Sequence, residues 1–193
     1  MRSALAAVLI ALAGPAAAQF GPGANGDAGF RERKAAAEDL LVNAQIAGAQ
    51  DRYREDLKAA KEAYDRGEFE LARRLFQPFA DSDFAPAQYY LALMWEKGQG
   101  EPRDDAKAAV WLSRAAKAGY APAQFNLGVA YLAGRGVAKD NRAGARWLRL
   151  AADQGLAPAQ YDLGVLYENG QGVPRSAETA ALWYARAAQP GHR

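Results

Sequence analysis

Apolar residues recur every three or four positions between residues 85 and 191, which is the spacing of one face of an α-helix. The first helical segment of this region carries Ala87, Leu91, Ala92 and Trp95 on its apolar side. The second segment has a comparable apolar face, made of Ala108, Trp111, Leu112 and Ala115. Small side chains on one segment can meet large ones on the other, so the pattern predicts two closely packed helices.

This two-helix pattern returns with a period of 36 residues. The tetrapeptide Ala-Pro-Ala-Gln begins at Ala85, Ala121 and Ala157. A tryptophan recurs in the second segment, at Trp111, Trp147 and Trp183. A helix pair that buries its apolar face only against neighbouring pairs is typical of a solenoid. The tryptophans lie inside the core pattern, which favours packing over the alternative of stacking on a sugar.

Local signals place the helix ends. Proline suits a first helical turn, so each first helix is predicted to start at the Pro of Ala-Pro-Ala-Gln. The glycines at 98, 134 and 170 open a Gly-x-Gly and suit the left-handed residue that ends a helix. The second helices are predicted to start at Asp104, Asp140 and Ser176, whose side chains can cap a helix. The Gly-x-Gly segments lack the rest of a phosphate-binding motif and are interpreted as linkers.

An earlier repeat is present in degenerate form. Leu75 and Phe76 correspond to Trp111 and Leu112 at the same step of 36, but the preceding helix ends at Arg66-Gly67 without a Gly-x-Gly linker. The sequence therefore predicts an all-α fold with four helical pairs over residues 50–191. Their predicted bounds are 50–84, 85–120, 121–156 and 157–191.

The amino terminus has the pattern of a secretory signal. Arg2 precedes an uncharged apolar run of ten residues, Ala4–Ala13, and Ala16-Ala17-Ala18 fits the small-x-small cleavage rule. The run is half the length that spans a membrane, which is about 20 residues, and argues against an anchor. We therefore expect a signal peptide over 1–18, cleavage between Ala18 and Gln19, and a periplasmic or secreted protein without an integral membrane segment. A glycine-rich linker over 19–29 and a helix or cap over 30–49 are expected to follow.

Composition narrows the function classes. The 193 residues carry a net charge of +2 without a basic block, so the chain has no electrostatic signature of nucleic-acid binding. There is no cysteine and a single histidine, His192, which leaves little for a catalytic triad or a metal site. The Ser and Thr hydroxyls after the signal are Ser82, Ser113, Ser176 and Thr179. We expect a non-catalytic binding protein without cofactor or metal; a glycan or peptide binder of the cell wall and a hydrolase are the alternatives.

The repeats resemble a known family. Residues 121–131, Ala-Pro-Ala-Gln-Phe-Asn-Leu-Gly-Val-Ala-Tyr, followed by Gly-Arg-Gly-Val at 134–137, are similar to the Sel-one-like repeat of the tetratricopeptide superfamily. The resemblance is strong over 85–191 and weak over 50–84. It implies a right-handed α-solenoid that serves as a scaffold or adaptor for a protein or peptide partner. Some cysteine-rich secreted members are associated with β-lactam hydrolysis, which is not carried over to this cysteine-free chain.

A candidate binding stripe follows from comparing the repeats with one another. On the first helix, steps of 100° per residue place positions 90, 93 and 97 on one side, away from the packed face. In the related fold, first helices line the concave surface. We call this set the first-helix stripe and predict a protein-binding groove there, with ordinary solvated positions as the alternative. Its candidate residues are Tyr90, Lys97, Asn126, Asp162 and Asn169, and Leu93, Val129 and Val165 are expected to be buried between repeats.

The carboxyl end offers a second candidate surface. The last repeat ends at its second helix, and solenoids usually need a polar cap at each end. The exposed edge of that helix is predicted to carry Ala181, Leu182 and Tyr184. The hypothesis is that this edge self-associates or docks a partner.

Overall fold

The structure is a computed structural model that describes residues 54–189. The described residues divide between two units of the chain, with 54–56 in the first and 57–189 in the second. The predicted signal peptide, the linker over 19–29 and the helix over 30–49 all lie outside the described residues. Within the described range, all regular secondary structure is helical and no strand occurs.

Eight helices follow one another along the described chain, and from α2 onward each contacts the next. This arrangement confirms the predicted all-α repeat fold. The bounds are α1 (54–65), α2 (Phe69–Asp81), α3 (Ala85–Lys97), α4 (Asp105–Lys117), α5 (Ala121–Ala133), α6 (Asn141–Asp153), α7 (Ala157–Asn169) and α8 (Ala177–Ala187).

The first helix of each full repeat, α3, α5 or α7, starts one residue earlier than predicted, at the alanine before the proline. The prediction was off by one because the first backbone N–H groups of a helix have no partner within it, so proline is tolerated at the second position as well. The residue before each helix is a large apolar one with an extended backbone. These residues are Phe84, Tyr120 and Leu156.

The other predicted boundaries are confirmed. Gly98, Gly134 and Gly170 end their helices with φ of 66°, 71° and 69°, a left-handed conformation that glycine adopts without a steric penalty. Asp104 and Asp140 accept hydrogen bonds from the backbone N–H of Lys107 and Ala143, both at 2.9 Å. Ser176 accepts the corresponding bond from Thr179 at 3.1 Å.

Small residues let the two helices of a repeat approach closely. A Cβ placed on Gly128 of α5 would lie 2.9 Å from Leu148 Cγ, and one on Gly164 of α7 would lie 2.7 Å from Tyr184 Cε1. Both distances are shorter than normal carbon contacts. The equivalent residue of α3 is Ala92, which is buried. The small-against-large packing predicted for each pair is therefore present.

The degenerate repeat differs in its hinge. Only residues 66–68 separate α1 from α2, and Gly67 supplies the turn with φ of 77°. Phe76, Ala60 and Ala63 are buried in its core. The shorter hinge agrees with the missing Gly-x-Gly linker.

Successive repeats are joined by a buried glutamine, a role that the sequence reasoning did not assign. The Nε2 atom of each Gln in Ala-Pro-Ala-Gln donates a hydrogen bond to a backbone carbonyl near the end of the preceding helix. The pairs are Gln88 to Ala80 at 3.0 Å, Gln124 to Ala116 at 3.1 Å and Gln160 to Ala152 at 3.1 Å. The recurrence of the tetrapeptide could have revealed this role, because its fourth residue is the only polar one in it.

Candidate protein-binding surfaces

The first residue of the first-helix stripe, Tyr90, is half-buried and packs against the core. Its ring stacks on Phe76 with centroids 4.8 Å apart and an interplanar angle of 5°. Tyr64 of α1 meets the same ring edge-on at 5.1 Å. Such aromatic pairs stabilise the fold beyond the area they bury. Tyr90 therefore packs the first two repeats together.

Asn126 and Asp162 hold the same helical position in the next two repeats and are half-buried. The Asn126 side chain hydrogen-bonds Tyr89 of the preceding first helix, which partly offsets the rise in the pKa of Tyr89 caused by burial. Burial alone raises the pKa of Asp162 above its ordinary value. Among the described residues, no hydrogen-bond donor or cation reaches the Asp162 carboxylate. Asn126 therefore has a hydrogen-bond partner in the preceding repeat, whereas the Asp162 carboxylate has none among the described residues.

The solvent-exposed part of the stripe lies at the carboxyl ends of the first helices. Lys97 and Asn169 are exposed, as is Ala133 at the equivalent position of α5. Beside them, Arg135 Nη1 donates to Glu96 Oε1 at 3.0 Å and links two successive repeats. The structure thus divides the five candidates into an exposed pair, Lys97 and Asn169, and a half-buried set deeper in the stack. Leu93, Val129 and Val165 are half-buried rather than fully buried.

The recurring tryptophans belong to the core or its edge. Trp183 is 4% exposed, and Trp111 and Trp147 are half-buried. The guanidinium of Arg114 lies 4.7 Å from the Trp111 ring centre, and that of Arg186 lies 4.6 Å from the Trp183 ring centre. Because a cation lies over each of these two rings, the geometry favours the packing interpretation over sugar stacking.

The predicted carboxyl-terminal edge separates into two environments. Leu182 is 60% exposed, but Val110 at the same position of α4 is 55% exposed, so this exposure is a general feature of the second helices. Tyr184 occupies the position of the buried Leu112 and Leu148 and packs on Gly164. Two residues apart on a helix is a turn of roughly 200°, so Leu182 and Tyr184 face different sides.

The Tyr184 hydroxyl makes a specific contact with the first helix of its repeat. It donates a hydrogen bond to Glu168 Oε2 at 2.7 Å. This bond to a carboxylate raises the pKa of Tyr184 to about 12. The contact joins α7 to α8 at the surface of the last described repeat.

A groove of about 690 Å³ lies between α7 and α8 and was not foreseen as a unit. Its walls are mainly apolar, with the Asp162 carboxylate as the charged group. Tyr161, which is 57% exposed, is its most prominent side chain. The lining residues are Ala157, Pro158, Tyr161, Asp162, Tyr184, Ala187 and Ala188, and we call this surface the α7–α8 groove.

Residues 54–189 hold no group of three or more His, Cys, Asp or Glu side chains arranged to bind a metal ion. Over the same part of the chain, no helix combines the length and apolar character that a membrane span requires.

The repeats match a family model directly. The model described as Sel1 repeat matches residues 85–120, 121–156 and 157–192. The chain belongs to the Sel1 repeat family. Sel1 repeat proteins generally mediate protein–protein interactions and act as non-catalytic scaffolds. None of the curated proteins matches this sequence.

Two solved Sel1-type structures are similar to this chain. A Sel1 repeat protein from Oxalobacter formigenes is 32% identical with a TM-score of 0.65, over 67% of this chain and 54% of its own. A protective antigen of uropathogenic Escherichia coli strains, which displays an SLR fold, is 34% identical with a TM-score of 0.68, over 77% of this chain and 32% of its own. The chain therefore spans about half of the first protein and a third of the second.

Proposed function

We propose that this Sel1 repeat chain is an exported, non-catalytic scaffold that binds a protein or peptide partner in the cell envelope. The observation that supports it most is the contrast between adjacent positions at the ends of the first helices. Position 98 and its equivalents are always glycine because the chain must turn there, whereas the exposed position before it is Lys97, Ala133 or Asn169. Positions that the fold does not constrain are available for recognition.

The chemistry of this surface fits a polar peptide or the side of a helix. A cation, a methyl group and an amide stand on three parallel repeats, and the Glu96–Arg135 ion pair lies between the first two. A solenoid extends such a surface over several repeats, so a partner can contact all of them at once.

A pull-down experiment tests the binding proposal. The bait is the mature chain, residues 19–193, beside a variant with Lys97→Glu, Ala133→Arg and Asn169→Ala, all at exposed sites. A matched control carries Val110→Ser and Leu182→Ser on exposed second-helix positions. We expect a protein from envelope extract to bind the wild type and the control but not the first variant. Equal capture by all three baits would contradict binding through the first helices.

Export is part of the proposal and has its own test. The apolar run at 4–13 and the small-x-small motif at 16–18 support it. Mass spectrometry of the protein from fractionated cells is expected to find a chain that begins at Gln19 in the periplasm or medium. A cytoplasmic protein that retains Met1 would reject export and leave the binding proposal standing.

A further inference from the structure

The repeats contain filled copies of the α7–α8 groove, and these show what such a groove accepts. The groove between α3 and α4 is filled by the start of α5, because Tyr120 and Ala123 share a core cluster with Ala115 and Ala116. The groove between α5 and α6 is filled by the start of α7, because Leu156 and Ala159 join Ala151 and Ala152 in the same way.

The filling segments share a five-residue signature: a large apolar residue followed by Ala-Pro-Ala-Gln. The large residue packs against the preceding repeat, as Tyr120 does on Tyr89 with ring centroids 5.4 Å apart. Phe84 also packs against the preceding repeat, but on its second helix, where its ring centroid lies 6.4 Å from that of Phe79. The glutamine then donates its buried hydrogen bond to the preceding helix. The segment that fills such a groove is therefore defined by the shape of its large apolar residue and by the hydrogen bond of its glutamine.

The α7–α8 groove presents the same contact positions without an occupant among the described residues. Tyr161 stands where Tyr89 receives Tyr120, and it is the most exposed of the three aromatic residues at this position. Ala188 is exposed, whereas its equivalents Ala116 and Ala152 are each 1% exposed. Ala181 is also exposed, in contrast to the buried Ala109 and Ala145. The contrast in burial follows the surface that a further first helix would cover.

We propose that the α7–α8 groove binds a helix of another polypeptide whose first turn reads large apolar residue, Ala, Pro, Ala, Gln. The Asp162 carboxylate on the groove wall adds charge complementarity, since the amino-terminal end of a helix carries partial positive charge. In a second copy of this chain, the signature occurs only at the starts of α3, α5 and α7. These helices already pack against the neighbouring helices of that copy, which argues against a second copy as the occupant. The α7–α8 groove is separate from the exposed ends of the first helices, and its occupation by a helix does not depend on the proposed function.

The cysteine-free chain allows a disulfide-trapping test. The probe is a synthetic peptide with the sequence of residues 119–136, in which the position of Gly119 is a cysteine, so that the large apolar residue of the signature is kept. It is incubated in a thiol–disulfide buffer with the full chain carrying Tyr161→Cys, or with the matched control Leu182→Cys at a similarly exposed site. We expect the adduct to form at least ten times faster at position 161, and the Gln124→Ala change in the peptide to slow it several-fold.

Three different outcomes would overturn the proposal. Equal trapping rates at positions 161 and 182 would overturn the proposal, as would equal rates for the peptide and a scrambled version of it. A disulfide-linked dimer of the Tyr161→Cys chain that forms faster than the peptide adduct would assign the groove to a second copy, and would also overturn it. A parallel titration of the wild-type chain with a fluorescent, cysteine-free peptide checks the result: saturable binding is expected, and its loss with Ala188→Arg.

Discussion

At the scale of single residues, the repeats depend on where small side chains stand. The first-to-second helix contact uses Ala92, Gly128 and Gly164 at one repeated position. Gly128 and Gly164 lie against the larger Leu148 and Tyr184, and Ala92 shares a core cluster with Leu112. This pairing was predictable because small and large residues alternate at fixed spacing. The role of Tyr90 was not, because its partner Tyr64 lies on α1, where the shortened hinge breaks the step of 36 residues.

Gly128→Ala tests the close approach of α5 and α6. Alanine favours an isolated helix over glycine by about 1 kcal/mol. A Cβ here would nevertheless lie 3.1 Å from the Gly144 carbonyl oxygen and the Leu148 nitrogen, which are backbone atoms that cannot rotate away. We expect the variant to lose roughly 1–3 kcal/mol of unfolding free energy, measured by urea denaturation. The control is Ala133→Gly at an exposed site, which measures the effect of the alanine–glycine difference in helix propensity. A Gly128→Ala variant more stable than the wild type would contradict the close packing of α5 and α6.

Asp162→Asn tests the half-buried carboxyl of the α7–α8 groove. Burial raises the pKa of Asp162 above 3.8, so the fold favours its neutral form. The stability that this group contributes is complete below pH 3.8 and is lost as the pH rises through the folded-state pKa. We therefore expect Asp162→Asn to melt at a higher temperature than the wild type at pH 7. The difference should shrink as the pH falls toward 3.8, and a lower melting temperature at pH 7 would contradict this account.

At the scale of elements, helix ends were more predictable than helix surfaces. A cap involves residues three positions apart, so Asp104, Asp140 and Ser176 reveal it without knowledge of the fold. The buried glutamines could not be assigned in this way, because each bonds to a carbonyl eight residues earlier, across a helix boundary. Long-range partners require the packing of successive helices to be known.

Asp140→Ala tests the capping of α6. The change removes the 2.9 Å bond from the Ala143 N–H and is expected to cost about 0.5–2 kcal/mol of unfolding free energy. Asp140→Ser keeps an acceptor oxygen and should recover most of that loss. Thermal unfolding followed by circular dichroism measures both variants. A serine variant as unstable as the alanine variant would mean that the side chain does not act as a cap.

At the scale of the whole molecule, the periodic sequence revealed the fold because every repeat must satisfy the same contacts with its neighbours. The binding surfaces lack this constraint. Lys97, Ala133 and Asn169 are exposed and chemically different, although Asn169 Nδ2 donates a hydrogen bond to the Val165 carbonyl of its own helix at 3.0 Å. The sequence therefore indicates where recognition is possible but not what is recognised. The α7–α8 groove became visible only when burial was compared from repeat to repeat.

Site-specific photo-crosslinking in the producing cells tests the central claim that first helices carry the partner surface. A photoreactive amino acid replaces Lys97, Ala133 or Asn169 in one series, and Val110, Arg146 or Leu182 in the matched series on second helices; all six positions are exposed. We expect one partner protein to crosslink to the first series and not to the second. A partner that crosslinks only to the second series, or equally to both, would contradict it.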